Sequence, residues 1–131
     1  MRPVQVTGLR QVAQHVDDMD RAVAFYEDVL RLPRIARFDP PGLAFFDLGP
    51  TRLLLEAGAP SALLYLGVGD VAATVEHLRR AGVAIESDEH VIYVDEDGRF
   101  GPPGEAEVMA FFRDLEGNLV GLAGRRTPTE G

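Results

Sequence analysis

Apolar residues recur along the chain at two spacings, one typical of helices and one typical of strands. Asp18 is suited to cap a helix, because its carboxylate can accept hydrogen bonds from the first unpaired amides. Four apolar residues then recur at helical spacing and form one stripe, Met19, Val23, Tyr26 and Leu30. Pro33 ends this helix, since proline lacks the amide hydrogen that a helix interior needs. The pattern predicts an amphipathic helix between Asp18 and Pro33.

Alternating apolar and polar residues predict strands on both sides of this helix. Turn sequences rich in proline, glycine and aspartate separate the later strands. The strands expected in the first half are residues 9–16, 34–38, 43–48 and 52–56. On the first of them, alternation places Gln11 and His15 on the same face. The first half therefore has the predicted order β-α-β-β-β.

The second half repeats this outline at a constant offset of 52 residues, the difference between Val68 and Val16 (68 − 16). With the two valines superimposed, Asp70 falls on Asp18 and is expected to cap a second helix, which ends at Gly82. The second-half strands are predicted at residues 62–68, 83–85, 90–94, 107–113 and 119–123. Self-similarity at a fixed offset indicates a duplicated unit.

The two halves predict an α+β fold of two βαβββ modules, residues 7–57 and 61–124. A chain of 131 residues with 46% hydrophobic composition fits one domain, residues 1–131, with a core of its own. The linker at residues 58–61 lets the modules pair within one chain or exchange between two chains. Residues 125–131 are expected to form a loose polar tail.

The net charge of −8 argues against nucleic acids and anionic membranes as partners, because their phosphates would be repelled. A small molecule is the expected partner. The absence of cysteine excludes disulfides, thiolate chemistry and cysteine-ligated metals. The amino-terminal residues lack the apolar core of a signal peptide, and no apolar run is long enough for a membrane span. We therefore expect a cytoplasmic protein.

Two short motifs suggest cofactors but have simpler interpretations. Residues 67–72, GVGDVA, match the G-x-G-x-x-A fingerprint of dinucleotide sites. Asp70 would place a carboxylate where the pyrophosphate binds, so no nucleotide cofactor is expected. Asp95, Asp97, Gly98 and Glu107 hint at a calcium loop, but the acids do not follow the EF-hand positions, and a solvated hairpin turn is favoured.

Four polar residues lie on predicted strands: Gln11, His15, Glu56 and His90. Glu56 is either a solvated carboxylate paired with Arg52, or an acid at the rim of a cleft that binds a divalent cation or moves a proton. A hydrogen-bonded core histidine is favoured over a ligand for both His15 and His90.

Four segments together resemble the vicinal oxygen chelate superfamily, which includes glyoxalase I, bleomycin-resistance proteins and extradiol dioxygenases. They are VAQHVDDMDRAVAFYEDVL, LLLE, VGDVAATVEHLRRAGV and FFRDLEGNLVGL. The last is similar to the family's F-x-D-P-D-G-N-x-x-E-L, with Leu115 in place of proline. The resemblance implies that the paired modules form a curved mixed sheet around a cleft, and that the protein is a homodimer.

The resemblance also implies a divalent metal held by one residue from each of four strands. These positions fall on Gln11, Glu56, Leu63 and Gly121. Only Gln11 and Glu56 carry donor atoms that a divalent cation can use, so the usual site is incomplete. A site in which His15 and His90 replace the two missing ligands would consist of Gln11, His15, Glu56 and His90.

The sequence therefore predicts a small-molecule-binding protein of the glyoxalase, bleomycin-resistance and dioxygenase type. Its cleft is expected to be lined by Gln11, His15, Arg52, Glu56, Tyr65 and His90. The alternative is a metal-dependent lyase or isomerase, similar to lactoylglutathione lyase or to an epimerase. In that enzyme Glu56 would be the base that transfers a proton.

Overall fold

The computed structural model describes residue 5 and residues 7–128 and divides into two compact units between Ala62 and Leu63. Each unit contains a helical segment and a four-stranded mixed sheet. The predicted α+β fold with two βαβββ modules is confirmed. No helix in the described part of the chain is long and apolar enough to cross a membrane.

The first unit has its elements in the predicted order. They are β1 (Gln11–His15), α1 (Met19–Ala24), a π-helical segment (Phe25–Val29), β2 (Arg34–Phe38), β3 (Leu43–Leu48) and β4 (Thr51–Glu56). The sheet order is β1-β4-β3-β2, with β1 parallel to β4 and the other pairs antiparallel. Asp18 caps α1 as predicted, because its Oδ1 accepts from the Arg21 amide at 3.2 Å. Arg31, with a φ of 61°, follows the helical segment.

The helix of the first unit covers one face of its sheet. Tyr26 packs against Phe46 with ring centroids 6.0 Å apart, and both side chains are buried together with Leu53 and Leu55. The opposite face is here called the helix-free face of the first unit. By strand register and alternation it carries Gln11, Ala13, His15, Leu43, Phe45, Asp47, Arg52, Leu54 and Glu56.

The second unit repeats the arrangement. Its elements are β5 (Leu64–Gly67), α2 (Val71–Arg80), β6 (Ala84–Asp95), β7 (Glu105–Arg113) and β8 (Leu119–Arg126). The sheet order is β5-β8-β7-β6, with β5 parallel to β8. Asp70 caps α2 by accepting from the Ala73 amide at 2.9 Å, and Gly82 follows the helix with a φ of 84°. The cap and the glycine were both predicted from sequence.

Strand β6 differs from the prediction, which placed two short strands at residues 83–85 and 90–94. The structure has one strand over Ala84–Asp95 that pairs with β7 through several register shifts. Acidic residues between the two apolar segments broke the sequence pattern. They fit the strand because β6 lies at the edge of its sheet, where Glu86 and Asp88 are exposed.

The predicted loose tail is wrong for its first two residues, because β8 continues through Arg126. The Arg125 guanidinium contacts the carboxylates of Asp95, Glu105 and Glu107 at 2.9, 3.1 and 3.1 Å. Asp95, expected in a solvated turn, is only 3% exposed. Glu107 faces Arg125 directly in the register of β7 and β8, so cross-strand charge pairing orders this end of the chain. Residues 129–131 of the predicted tail lie outside the described residues.

Candidate functional site

Gln11 and Arg52 are joined on the helix-free face of the first unit. The parallel pairing of β1 with β4 places them opposite each other, and Arg52 Nε donates to Gln11 Oε1 at 2.7 Å. The Arg52 guanidinium carbon also lies 5.8 Å from the centroid of the Phe45 ring, within the range of a cation–π contact. The two contacts hold the guanidinium beside an amide and above an aromatic ring.

His15 lies on the same face, with both ring nitrogens in hydrogen bonds. Nδ1 is 2.9 Å from the carbonyl oxygen of Ala57, and Nε2 is 2.8 Å from Oδ1 of Asp17. The side chain is 40% exposed, so His15 is hydrogen-bonded as predicted but is not a core residue. A metal would have to displace one of these two acceptors from the ring.

Glu56 ends β4, half-buried and opposite His15 in the register. Within the described residues its carboxylate takes part in no ion pair, and Arg52 is hydrogen-bonded to Gln11 instead. The predicted pairing of Glu56 with Arg52 is therefore wrong. The two residues are four positions apart on an extended strand, which places their Cα atoms about 13 Å apart.

Tyr65 occupies the space beside Gly121 in the second unit. The two residues are opposite each other on β5 and β8. A Cβ added at Gly121 would lie 2.9 Å from Cδ1 of Tyr65 and 3.0 Å from Cε1 of Phe111. The Tyr65 and Phe111 rings form an edge-to-face pair with centroids 5.9 Å apart. Aromatic rings thus fill the position where the family pattern has a carboxylate.

His90 and Leu63 also belong to the second unit. His90 is exposed on β6, where its Nδ1 lies 3.0 Å from the carbonyl oxygen of Asp88. This exposure contradicts the favoured interpretation of His90 as a core histidine. Leu63 is 47% exposed and carries no donor atom. Four of the six predicted site residues share the first unit's helix-free face: Gln11, His15, Arg52 and Glu56.

Sequence reasoning missed Phe45 and Phe111, the two rings against which Arg52 and Tyr65 lie. Phe45 and Phe46 are consecutive on β3, so alternation directs one ring to the helix and the other to the helix-free face. That alternation was the signal that could have found Phe45. Phe111 and Phe112 are likewise consecutive on β7, with Phe112 as the buried ring, but the contact of Phe111 with Tyr65 depends on how β5, β8 and β7 are ordered.

Most of the chain matches one known protein family. A family model described as the Glyoxalase/Bleomycin resistance protein/Dioxygenase superfamily matches residues 8–122. The chain belongs to this superfamily. A search of curated protein sequences gave no match.

Solved structures of the superfamily share the fold. Lactoylglutathione lyase from Agrobacterium tumefaciens is 24% identical with a TM-score of 0.65, covering 91% of this chain and 94% of that one. The antibiotic-binding protein TnmS3 from Streptomyces sp. CB03234 is 21% identical with a TM-score of 0.69, covering 95% and 100%. A superfamily member from Sphaerobacter thermophilus is 17% identical with a TM-score of 0.71, covering 91% and 98%.

The superfamily's usual divalent metal does not fit the residues present here. Leu63 and Gly121 offer no side-chain donor. Gln11 Oε1, the first remaining donor, already accepts from the Arg52 guanidinium, whose positive charge would repel a cation at that oxygen. In the described part of the chain, no three histidine, aspartate or glutamate side chains are grouped to hold a metal ion.

The close contact between Gly121 and Tyr65 can be tested by coupled substitutions. We expect Gly121→Ala to lower the free energy of unfolding by about 1–2 kcal/mol, because the new methyl group overlaps the two rings. In a Tyr65→Ala background the loss should fall to about half or less, since one ring is removed. Denaturant unfolding of the four proteins measures this coupling.

Gly67→Ala is the matched control, because a Cβ at Gly67 on neighbouring β5 has no atom within 4 Å. Gly67→Ala should change the free energy of unfolding little, both in the unsubstituted protein and in the Tyr65→Ala variant. An equal cost of Gly121→Ala with and without the Tyr65 ring would show that Tyr65 does not fill this position.

Proposed function

We propose that this protein binds a small organic ligand on the helix-free face of the first unit without using a divalent metal. The observation that supports this is the 2.7 Å hydrogen bond from Arg52 to Gln11, which places a fixed positive charge at the oxygen that a metal would need. Gln11, His15, Arg52 and Glu56 are the proposed ligand contacts. Tyr65 and His90 lie on strands of the second unit, and we propose each as a ligand contact of that unit.

The composition of this face suits a small molecule. Ligand sites are mostly apolar, with a few polar groups that fix orientation. Here Phe45 and Leu43, both partly exposed, supply apolar surface beside a cation, Arg52, and an acid, Glu56. The similarity in fold to an antibiotic-binding protein is consistent with sequestration of a ligand. We propose that the protein acts in the cytoplasm as a homodimer, the assembly that the family resemblance implies.

A metal-dependent lyase or isomerase is the second candidate. It is favoured by Glu56, a half-buried carboxylate free of ion pairs in the described part of the chain and therefore able to accept a proton. The fold is also that of a lactoylglutathione lyase. In this candidate, Glu56 would remove a proton next to a ligand carbonyl, while Gln11 and His15 would orient the ligand.

Metal content separates the two candidates. Protein purified without chelators should carry less than about a tenth of an equivalent of any transition metal, and added nickel, zinc, manganese or iron should leave Tm unchanged. When a library of small organic compounds is screened by thermal shift, we expect some neutral or anionic compounds to raise Tm. A metal-dependent rise in Tm that Glu56→Gln abolishes would instead show a metal site at Glu56, favour the metal-dependent enzyme and contradict the proposed function.

A further inference from the structure

The Arg52 guanidinium carries N–H donors that have no acceptor in the part of the chain that the structure describes. Its Nε donates to Gln11, whereas neither terminal nitrogen has a hydrogen-bond or ion-pair partner among the described residues. A guanidinium carries five N–H donors, so four of them remain. The residue is exposed, and a ligand can therefore reach those donors.

Arg52 differs in this respect from the other arginines on the described strands, each of which pairs with a carboxylate. These are Arg34, Arg37, Arg113, Arg125 and Arg126. Acids outnumber bases by 21 to 13, so an arginine on a sheet would easily find an acidic neighbour. Asp47 is the cross-strand neighbour of Arg52, yet no ion pair joins them, and Asp47 Oδ1 accepts from the Gly49 amide at 2.7 Å. The nearest acid on the sheet holds a turn and leaves the guanidinium unpaired.

Gln11 adds a further donor at the same place. Because its Oε1 accepts from Arg52, the amide orientation is fixed, and its Nε2 has no acceptor among the described residues. The cluster formed by the Arg52 terminal nitrogens and Gln11 Nε2 contains only donors. Such a cluster is complementary to an oxyanion.

The guanidinium is also held in place before any ligand binds. The hydrogen bond to Gln11 and the contact with Phe45 restrain the arginine side chain, which otherwise loses considerable rotamer freedom on binding. With Nε already used, the two terminal nitrogens form an end-on fork that matches the two oxygens of a carboxylate.

We infer that the ligand of this face is an organic acid whose carboxylate binds the Arg52 terminal nitrogens and Gln11 Nε2. Its apolar or aromatic body then lies along Phe45 and Leu43, which are partly exposed on the same face. Glu56, about 13 Å from Arg52 along β4, would repel a second anionic group at the far end. This inference depends on the proposed function and narrows its ligand to acids with one carboxylate and an apolar body.

A series of matched acid and amide pairs tests the inference on the full-length protein. The pairs are benzoic acid and benzamide, 2-naphthoic acid and 2-naphthamide, and biphenyl-4-carboxylic acid and its amide. Isothermal titration calorimetry measures the affinity of each compound at neutral pH. At least one acid should bind about tenfold or more tightly than its amide, because the amide lacks the charge that the guanidinium recognises.

Substitutions of Arg52 separate charge from geometry. Arg52→Gln should lower the affinity for that acid at least tenfold and leave the affinity for the amide nearly unchanged. Arg52→Lys keeps the positive charge but loses the two-pronged geometry of the guanidinium. Its affinity for the acid should therefore lie between those of the unsubstituted protein and Arg52→Gln. Arg79→Gln removes the same charge from α2 of the second unit and should bind the acid like the unsubstituted protein.

The outcomes distinguish this inference from the proposed function. If acids and amides bind equally well, or if Arg52→Gln binds the acids as tightly as the unsubstituted protein, the carboxylate inference is overturned while small-molecule binding stands. If no member of either series binds, the carboxylate inference is overturned, and if in addition no compound of the ligand library raises Tm, the proposed function fails as well.

Discussion

Arg125→Met should lower Tm by about 10 °C, a larger loss of stability than we expect from Arg79→Met. The substitution keeps an unbranched apolar side chain but removes the guanidinium, which lies beside Gly101 and between three carboxylates. Asp95, Glu105 and Glu107 would then face one another without a counter-charge. Thermal unfolding followed by circular dichroism measures the loss.

The loss should depend on pH in a defined direction. The Phe100 amide, followed by the Arg99 amide and the Arg125 guanidinium, holds the pKa of Asp95 below its ordinary value of 3.8. In the unsubstituted protein this carboxylate therefore stabilises the fold above about pH 3.8, and the contribution is lost as pH falls through the lower folded pKa. In Arg125→Met, protonation relieves repulsion among the three acids. The difference in Tm between the two proteins should therefore shrink as pH falls below about 4.

Arg79→Met is the control for this prediction. Arg79 pairs with Asp88 at 2.7 Å, but the two side chains are 50% and 68% exposed, and such surface pairs contribute little. Its Tm should change by less than about 2 °C at any pH tested. A comparable drop in both variants would mean that the Arg125 cluster is no more than a surface ion pair.

Gln14→Met should raise the free energy of unfolding by about 1–3 kcal/mol. Gln14 is fully buried on the helix side of β1, opposite Leu55. In the described part of the chain, neither its Oε1 nor its Nε2 has a hydrogen-bond partner. Methionine has similar length and no amide to desolvate, so the substitution removes a cost of folding. Guanidinium chloride unfolding measures the change.

Gln14→Glu is the matched substitution of opposite sign. It keeps the size of the side chain but buries a carboxylate without a partner, so stability should fall clearly at neutral pH and recover in acid. A loss of stability in Gln14→Met would contradict the prediction and indicate that a buried water satisfies the amide.

The fold was predictable where the signal is local. Asp18 and Asp70 cap their helices in the structure as their sequence contexts predicted. Gly82 adopts a positive φ at the end of the second helix, for the same local reason. Strand β6 was misjudged because its acidic middle is permitted only by its place at a sheet edge, which depends on the order of distant strands.

The candidate site was predictable only in part. Alternation correctly placed Gln11 and His15 on one face, since that property belongs to a single strand. The hydrogen bond between Gln11 and Arg52 joins residues 41 positions apart and requires the parallel pairing of β1 with β4. The Arg125 cluster likewise brings together three strands, so a local pattern of charges near the chain end suggested a tail instead.

The exposed edge of β6 has a consequence for the behaviour of the protein in concentrated solution. Val91 and Ile92 are 45% and 44% exposed on this edge strand, which could add to the edge of another molecule's sheet. Acidic residues flank them at positions 88–89 and 95–97 and keep neighbouring molecules apart by charge repulsion. Near the isoelectric pH of about 4.8, or in concentrated salt, that repulsion is lost, and precipitation would begin with strand pairing along this edge.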